Sequence, residues 1–332
     1  MTLIASHITS FMRQRLPVER RVSDNTCESY AYAFKLLFEY ASNCLHVPPS
    51  ELHLEQLDAP LIVTFLNHLE TVRGNGPNSR NIRLAAIKSF MRFMEYRVPT
   101  ALEQIRRILA IPVKKADTRL VRHLTVEEMQ AILDAPEPNN RDGIRDRAML
   151  HLCFAGGLRV SELMGLQLDN LNLQPHASVL VHGKGRKERC LPLWKETTSA
   201  LRAWLAVRGT VLAPELFLNA RGEPMTRFGF EYILRKHVHT AVKRCPSLST
   251  KRVSPHVLRH TCALTLLQAT NDLRKVALWL GHASLQSTEA YLRADPTLRL
   301  EALAAGTAPT LRPGKFRPPD KLIAMLKQQR RS

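Results

Sequence analysis

The chain lacks most of the features that mark a membrane, secreted or zinc-binding protein. No apolar run approaches the ~18 residues of a membrane span, and the N-terminal segment with Arg13 and Arg15 does not resemble a signal peptide. The six cysteines form no Cys-x-x-Cys pair, which argues against a zinc ribbon. Several of them have apolar neighbours, as is typical of core residues in a reducing compartment. We therefore expect a cytoplasmic protein with no membrane segment.

Negative charge is scarce relative to positive charge. The formal net charge is +19 over 332 residues, which indicates a polyanionic partner, most often nucleic acid. Residues 1–115 contribute +5 and residues 116–332 contribute +14, so a DNA-binding surface could span both parts. The alternative on charge alone is a basic protein without such a partner.

The pattern of apolar residues in the first third of the chain predicts helices. Apolar side chains follow a 3.6-residue period over residues 24–44. A second helix is expected to begin near Asp58, residues 74–77 (Gly-Asn-Gly-Pro) predict a turn, and a third helix is expected over residues 78–96. The predicted buried face of the third helix is Ile82, Ala85, Ala86, Phe90 and Phe93. Residues 1–111 therefore predict a small all-helical domain.

The third predicted helix also carries basic side chains at positions expected to be exposed. Arg80, Arg83 and Lys88 are candidate DNA contacts, and Arg92 and Arg97 add further charge. For any single one of them, the alternative is an ordinary solvated helix face.

A change in composition separates this region from the rest of the chain. Residues 112–122 are polar and basic with few core residues, and they predict a linker. Thr125 with Glu128 predicts a capping box that opens the next helix.

Residues 123–305 predict a mainly helical domain that contains a small antiparallel sheet. Its three expected strands are residues 166–173, 178–182 and 188–193. Residues 306–332 form a proline-rich extension that ends in a predicted amphipathic helix, which we expect to dock on this chain or on a neighbouring subunit.

Two cations lie in contexts that suit phosphate binding. Arg159 follows Gly156-Gly157 at a predicted helix–helix junction, where its guanidinium could hold two phosphate oxygens. The alternative is a surface arginine or one paired with Glu162. Lys184 is at the tip of a glycine-flanked hairpin, where the alternative is a turn lysine that aids solubility. The same hairpin carries Arg186, Lys187 and Arg189, and this charge favours DNA contact.

His256 and Arg259 are three residues apart and share one face of a predicted helix. Ser254 as cap and Pro255 at the first position begin that helix, and a helix N-terminus favours an anion. The alternative for His256 is a metal pair with His260. Neither a third ligand nor the glutamate of a His-Glu-x-x-His motif accompanies them, so we predict no metal site.

His282 follows Gly281, a predicted helix C-cap, and Tyr291 lies on the next predicted helix. Each has an ordinary alternative, a polar turn residue for His282 and a half-buried core residue for Tyr291. A free tyrosine hydroxyl has a pKa of about 10. It becomes a nucleophile only when cations stabilise the phenolate or a base removes the proton.

Taken together, the order, contexts and spacing of six residues resemble the tyrosine recombinase (phage integrase) family, including XerC/XerD-like site-specific recombinases. The six are Arg159, Lys184, His256, Arg259, His282 and Tyr291. The resemblance covers residues 119–300 with specific motifs, and more weakly residues 1–110. It implies a mainly α fold with a small antiparallel β-sheet: an N-terminal helical core-binding domain followed by an α/β catalytic domain.

The resemblance also implies a mechanism without metal, cofactor or ATP. Tyr291 would attack a DNA phosphodiester and form a 3′-phosphotyrosyl link, while Arg159 and Arg259 would stabilise the phosphorane. Lys184 would protonate the leaving 5′-oxygen, His256 would exchange the tyrosine proton, and His282 would position the phosphate. Glu162 would orient its neighbours, and Arg186 and Lys187 would contact DNA. The partners implied are double-stranded recombination sites and a homotetramer, with or without related subunits, at the nucleoid.

Several alternatives stay open on the sequence alone. A type IB topoisomerase-like enzyme would share the covalent chemistry but religate the same strand. A DNA-binding regulator could keep the fold without catalysis, although the intact six-residue set argues against it. Within the family, the chain could be the integrase of a mobile element, which the basic charge and the long tail favour, or a resolver of chromosome dimers.

Overall fold

A computed structural model describes residues 2–117, 120–183, 187–209, 212–282 and 284–294. The chain divides into two compact units, Met1–Thr118 and Arg119–Ser332. The division falls within the stretch predicted to be a linker. No helix in the described residues is long and apolar enough to cross a membrane.

The N-terminal unit is helical, as predicted. Its α-helices are α1 (Ile4–Ser10), α2 (Asp24–Leu45), α3 (Ala59–Thr71), α4 (Pro77–Met94) and α5 (Leu102–Leu109), and α1 continues as a π-helical segment, Phe11–Glu19. Asp58 caps α3 by accepting a hydrogen bond from the Leu61 backbone at 2.8 Å. The core is apolar and partly aromatic, with the Phe11 ring 5.3 Å from Phe90 and 5.2 Å from Phe93.

The buried face of α4 matches the prediction at Ala86, Phe90 and Phe93 and differs from it elsewhere. Ile82 is 50% exposed and Ala85 is exposed, whereas Leu84, Ile87 and Met91 are buried. The buried face extends further around the helix than one stripe because α4 packs against α2, α3 and α5.

This wider buried face includes Arg80, which was expected to be exposed. Its side chain is buried and donates to the Pro112 carbonyl at 3.1 Å. Lys88 is half-buried and donates to the Ile111 carbonyl at 2.6 Å. Arg83 is also half-buried, with its guanidinium 4.7 Å from the centre of the Tyr32 ring. The prediction of exposed cations is therefore wrong for Arg80, while Arg92 and Arg97 are exposed.

The C-terminal unit is a helical body with one small sheet. Its helices are α6 (Val126–Leu133), α7 (Arg141–Ala155), α8 (Val160–Met164), α9 (Lys195–Arg208), α10 (Arg227–Ala241), α11 (Pro255–Thr270), α12 (Leu273–Leu280) and α13 (Gln286–Ala294). The predicted capping box opens α6, because Thr125 and Glu128 hydrogen-bond each other's backbone N–H.

The sheet has the order β1 (Leu171–Asn172), β2 (Ser178–His182), β3 (Glu188–Pro192), and both pairs of strands are antiparallel. The second and third strands are confirmed. The first is much shorter than the predicted 166–173, because Leu166 and Leu168 form backbone hydrogen bonds with the 214–216 segment instead. The predicted helix over 321–331 and the proline-rich extension lie outside the described residues.

Candidate active site

The candidate site lies in the C-terminal unit, where the turn after α7 meets the ends of α8, α11 and α12. Gly157 in that turn has φ +53° and could not be replaced without strain, because a Cβ atom there would lie 2.5 Å from Leu280 Cδ2. Trp279 Nε1 donates to the Ala155 carbonyl at 3.0 Å. These contacts fix α12 against the turn that leads into Arg159.

Arg159 is the N-cap residue of α8, and the side chain of Glu162, at the third position of the helix, reaches back to it. The Arg159 backbone N–H donates to Glu162 Oε2 at 2.9 Å, and Nη1 donates to Oε1 at 2.6 Å. Burial by itself would raise the pKa of Glu162. Hydrogen bonds from Arg189 and Arg159 lower this pKa by more than burial raises it, so the net pKa lies below its ordinary value. Arg159 is thus paired with Glu162, and its side chain remains 31% exposed.

Arg259 is almost completely buried, at 4% exposure. Its Nη1 donates to the Gly157 carbonyl at 2.6 Å and its Nη2 to the Leu280 carbonyl at 2.7 Å. Nη1 also lies 3.8 Å from Glu162 Oε2. Burial, and then the nearby charge of Arg159, lowers the pKa of Arg259 to about 10. The guanidinium therefore stays charged at neutral pH, and two carbonyls hold it in place.

Tyr291 is buried at 2% exposure in a small apolar cluster formed by α11, α12 and α13. Its hydroxyl is hydrogen-bonded to His260 Nδ1 at 3.0 Å. Burial raises the pKa of Tyr291, and the charge of Arg259 offsets part of this rise. The phenol is therefore protonated in this arrangement and faces His260.

His282 is stacked on the Tyr291 ring, with ring centres 6.3 Å apart and planes 10° from parallel. Its Nδ1 is hydrogen-bonded to Thr288 Oγ1 at 2.7 Å. Burial, followed by the charges of Arg259 and Arg159, lowers the pKa of His282 to about 4. The imidazole is therefore neutral at pH 7, although it lies in a cationic site.

His256 is exposed in the first turn of α11, and its ring centre is 6.5 Å from that of His260. The histidine in contact with the Tyr291 hydroxyl is thus His260, which sequence reasoning considered only as a metal ligand. The described residues contain no group of three or more His, Cys, Asp or Glu side chains that could hold a metal ion.

The hairpin between β2 and β3 is described only in part. Lys184 and Arg186 lie outside the described residues, and Lys187 is exposed. Arg189 on β3 donates to both carboxylate oxygens of Glu162, at 3.2 and 2.8 Å. Sequence reasoning missed this role, although Arg189 shares the core-facing side of its strand with Leu191. A cation at a core-facing strand position indicates a buried ion pair.

Comparisons with known proteins place the chain in one family. The phage integrase family matches residues 122–297, and the phage integrase N-terminal SAM-like domain matches residues 8–97. The integrase/recombinase y4rC of Sinorhizobium fredii is 44% identical, over 97% of this chain and 97% of its own length. The tyrosine recombinase XerC of Pelobacter propionicus is 35% identical, over 84% of this chain and 88% of its own length.

The fold also has a counterpart among solved structures. The XerH site-specific recombinase, in a post-cleavage complex with its difH substrate, has a TM-score of 0.65 and 24% identity, over 86% of this chain and 81% of that chain. The family matches show that the chain is of a class of enzymes that cut and rejoin DNA. The chain belongs to the phage integrase family of tyrosine recombinases, which confirms the resemblance.

Proposed function

We propose that this chain is a site-specific recombinase in which Tyr291 attacks a DNA phosphodiester, forms a 3′-phosphotyrosyl link and frees a 5′-hydroxyl. The observation that carries the proposal is the placement of Tyr291 and His282 beside Arg259, which shares the Glu162 carboxylate with Arg159. The covalent link conserves the energy of the phosphodiester, so rejoining needs no ATP.

The two arginines can bind the non-bridging phosphate oxygens without giving up their present partners. A guanidinium has five N–H donors, and the described contacts of Arg259 to the two carbonyls use two of them. Arg159 is partly exposed and uses one Nη for Glu162. Because both cations are held before the reaction, they stabilise developing charge without reorganisation.

The proton on Tyr291 does not pass to His260 in the present arrangement. Burial, followed by the charge of His256, lowers the pKa of His260 to about 4, far below that of the buried phenol. Tyr291 is also only 2% exposed, so we propose that it moves out of this buried position to meet a phosphate. There we propose that His256 accepts the phenol proton, that Lys184 protonates the leaving 5′-oxygen, and that His282 donates to the phosphate.

DNA binding is expected to raise the pKa of His282 from about 4 by at least about one unit. Burial is the main cause of the low pKa of His282, and the charges of Arg259 and Arg159 add to it; the phosphate brings negative charge next to these arginines. An anion favours the charged form of the imidazole, so the pKa moves upward. The measurement is a pH titration of the histidine ring signals by NMR, with and without a bound duplex, using His282→Gln for assignment.

His151 provides a matched control for this titration. Its pKa is also lowered to about 4, by burial and then by the charge of Arg147, which is not among the charges acting on His282. We expect its titration to be unchanged by DNA. An unchanged His282 titration in the presence of bound duplex would mean that the phosphate does not approach this residue.

Capture of covalent protein–DNA adducts tests the proposal directly. Cells that carry the protein and its native flanking DNA are lysed in denaturant, the protein is captured, and the attached DNA is sequenced, with Tyr291→Phe as control. Adducts that depend on Tyr291 support the proposed nucleophile and map the recombination sites. If no adducts form while DNA binding is intact, a non-catalytic regulator gains support.

We further propose that the substrate is double-stranded recombination sites, that a homotetramer acts on two of them, and that this happens in the cytoplasm at the nucleoid. The similarity to the integrase/recombinase y4rC supports an integrase, and the basic charge and long tail lead us to propose that it serves a mobile element. A resolver of chromosome dimers is the second candidate, within the same family as the tyrosine recombinase XerC to which the chain is similar. Adducts at the ends of a mobile element would favour the first, and adducts at a single chromosomal locus the second.

The proposed division of labour follows the two units. We propose residues 1–111 as a core-binding domain, residues 112–122 as a linker, residues 123–305 as the catalytic domain and residues 306–332 as a C-terminal extension, which lies outside the described residues. Arg83, Lys88, Arg186 and Lys187 remain proposed DNA contacts. Arg80 is not proposed as a DNA contact, because its side chain is buried and its guanidinium donates to the Pro112 carbonyl.

A further inference from the structure

Arg189 lies between three parts of the proposed site. Arg189 is on β3, two residues after Lys187. Its side chain is only 11% exposed. Its guanidinium donates to both oxygens of Glu162. It also touches the turn before His282, because a Cβ atom on Gly281 would lie 2.9 Å from Arg189 Nη1. Glu162 holds this guanidinium, and the absence of a side chain at Gly281 leaves room for it.

Arg189 uses much of the hydrogen-bonding capacity of Glu162. A carboxylate offers about four lone-pair positions. Arg189 donates to two of them, and the backbone N–H and Nη1 of Arg159 donate to the others. Arg259 Nη1 lies just beyond hydrogen-bond range, at 3.8 Å. If Arg189 were absent, the lone pairs it releases would be open to Arg159 and Arg259.

The charges of the cluster lead to the same conclusion. Glu162 is buried and ionised, and three guanidiniums surround it. Without Arg189, the carboxylate would draw more strongly on the two arginines that are proposed to bind the phosphate. When Arg189 is present, it forms two of the hydrogen bonds to the Glu162 carboxylate, and Arg189 is not one of the two arginines proposed to bind the phosphate.

We propose that Arg189 is a positioning residue that satisfies Glu162, so that Arg159 and Arg259 keep N–H groups free for the DNA phosphate. This inference rests on the proposed function. It identifies Glu162 and Arg189 as one unit, in which the carboxylate orients Arg159 and Arg189 prevents it from competing with the substrate.

A double-mutant cycle tests the inference. The purified full-length chain and its Arg189→Met, Glu162→Gln and double variants are compared on duplexes whose sequence comes from wild-type adducts. We expect Arg189→Met to lower the cleavage rate at saturating DNA by about 30- to 100-fold, less than the loss of a direct transition-state donor, with the dissociation constant changed less than about 3-fold. In the Glu162→Gln background, the same change should cost less than about 3-fold.

The cycle separates positioning from a merely structural role. An equal rate loss in both backgrounds, or a loss of affinity as large as the loss of rate, would overturn the inference. Arg189→Lys keeps the charge but not the paired donors, so it should fold even if Arg189→Met does not. We expect an intermediate rate loss of about 10-fold for it, again only when Glu162 is present. If the wild type cleaves DNA but the effects of Arg189 and Glu162 are independent, only the proposed role of Arg189 is refuted. If the wild type does not cleave DNA, the proposed function is refuted together with that role.

Discussion

Tyr291→Phe is expected to abolish covalent DNA cleavage, lowering the rate by at least about 10⁴-fold, while the affinity for DNA changes less than about 3-fold. The substitution removes the oxygen that would form the phosphotyrosyl bond and removes no charge. Phenylalanine keeps the ring that packs in the apolar cluster with α11 and α12, so the other side chains of the site are expected to be preserved.

The same variant should remain folded. Its main loss is the hydrogen bond between the Tyr291 hydroxyl and His260 Nδ1, which we expect to cost about 1 kcal/mol of unfolding free energy. Denaturing gels would measure the adduct, gel-shift titration the affinity, and urea unfolding the stability. Tyr96→Phe is the matched control, because Tyr96 is 90% exposed and lies in the N-terminal unit. Adducts that persist in Tyr291→Phe would show that another residue is the nucleophile.

Arg259→Lys is expected to lower the cleavage rate by about 10³-fold, as for loss of an oriented transition-state donor, with affinity reduced less than about 10-fold. Lysine keeps the positive charge but carries its three N–H donors on one nitrogen, without the planar fork of arginine. In Arg259 two different nitrogens bind the Gly157 and Leu280 carbonyls, so a single nitrogen is not expected to hold both carbonyls and a phosphate in the same geometry. The result would therefore separate geometry from charge.

The loss of the carbonyl contacts should also destabilise the C-terminal unit, by about 1–3 kcal/mol for hydrogen bonds of this kind. Rate and affinity are measured as for Tyr291, together with urea unfolding. Arg92→Lys, the same chemical change at an exposed position on α4, is the control and should leave the cleavage rate unchanged. Equal losses of rate and affinity in Arg259→Lys would mean that Arg259 only anchors DNA.

Local features of the fold were predictable because neighbours in sequence control them. The period of apolar residues in α2, the Asp58 cap of α3 and the Thr125–Glu128 capping box of α6 all depend on contacts within one or two helical turns. The antiparallel pair β2 and β3 follows from a short connection that leaves little choice of partner. The length of β1 was not predictable, since its neighbouring backbone pairs with residues more than 40 positions away.

The sequence by itself determined the two-part helical organisation, the basic charge and the six residues whose order identifies the family. Only the tertiary structure decided which of the basic side chains form contacts within the protein and which are exposed. Arg80 and Arg189 are both basic residues in basic segments, yet one donates to the Pro112 carbonyl and the other to Glu162. It also decided that His260 faces the Tyr291 hydroxyl. The physical reason is that burying a charge or a hydroxyl requires partners that the packing brings from distant parts of the chain.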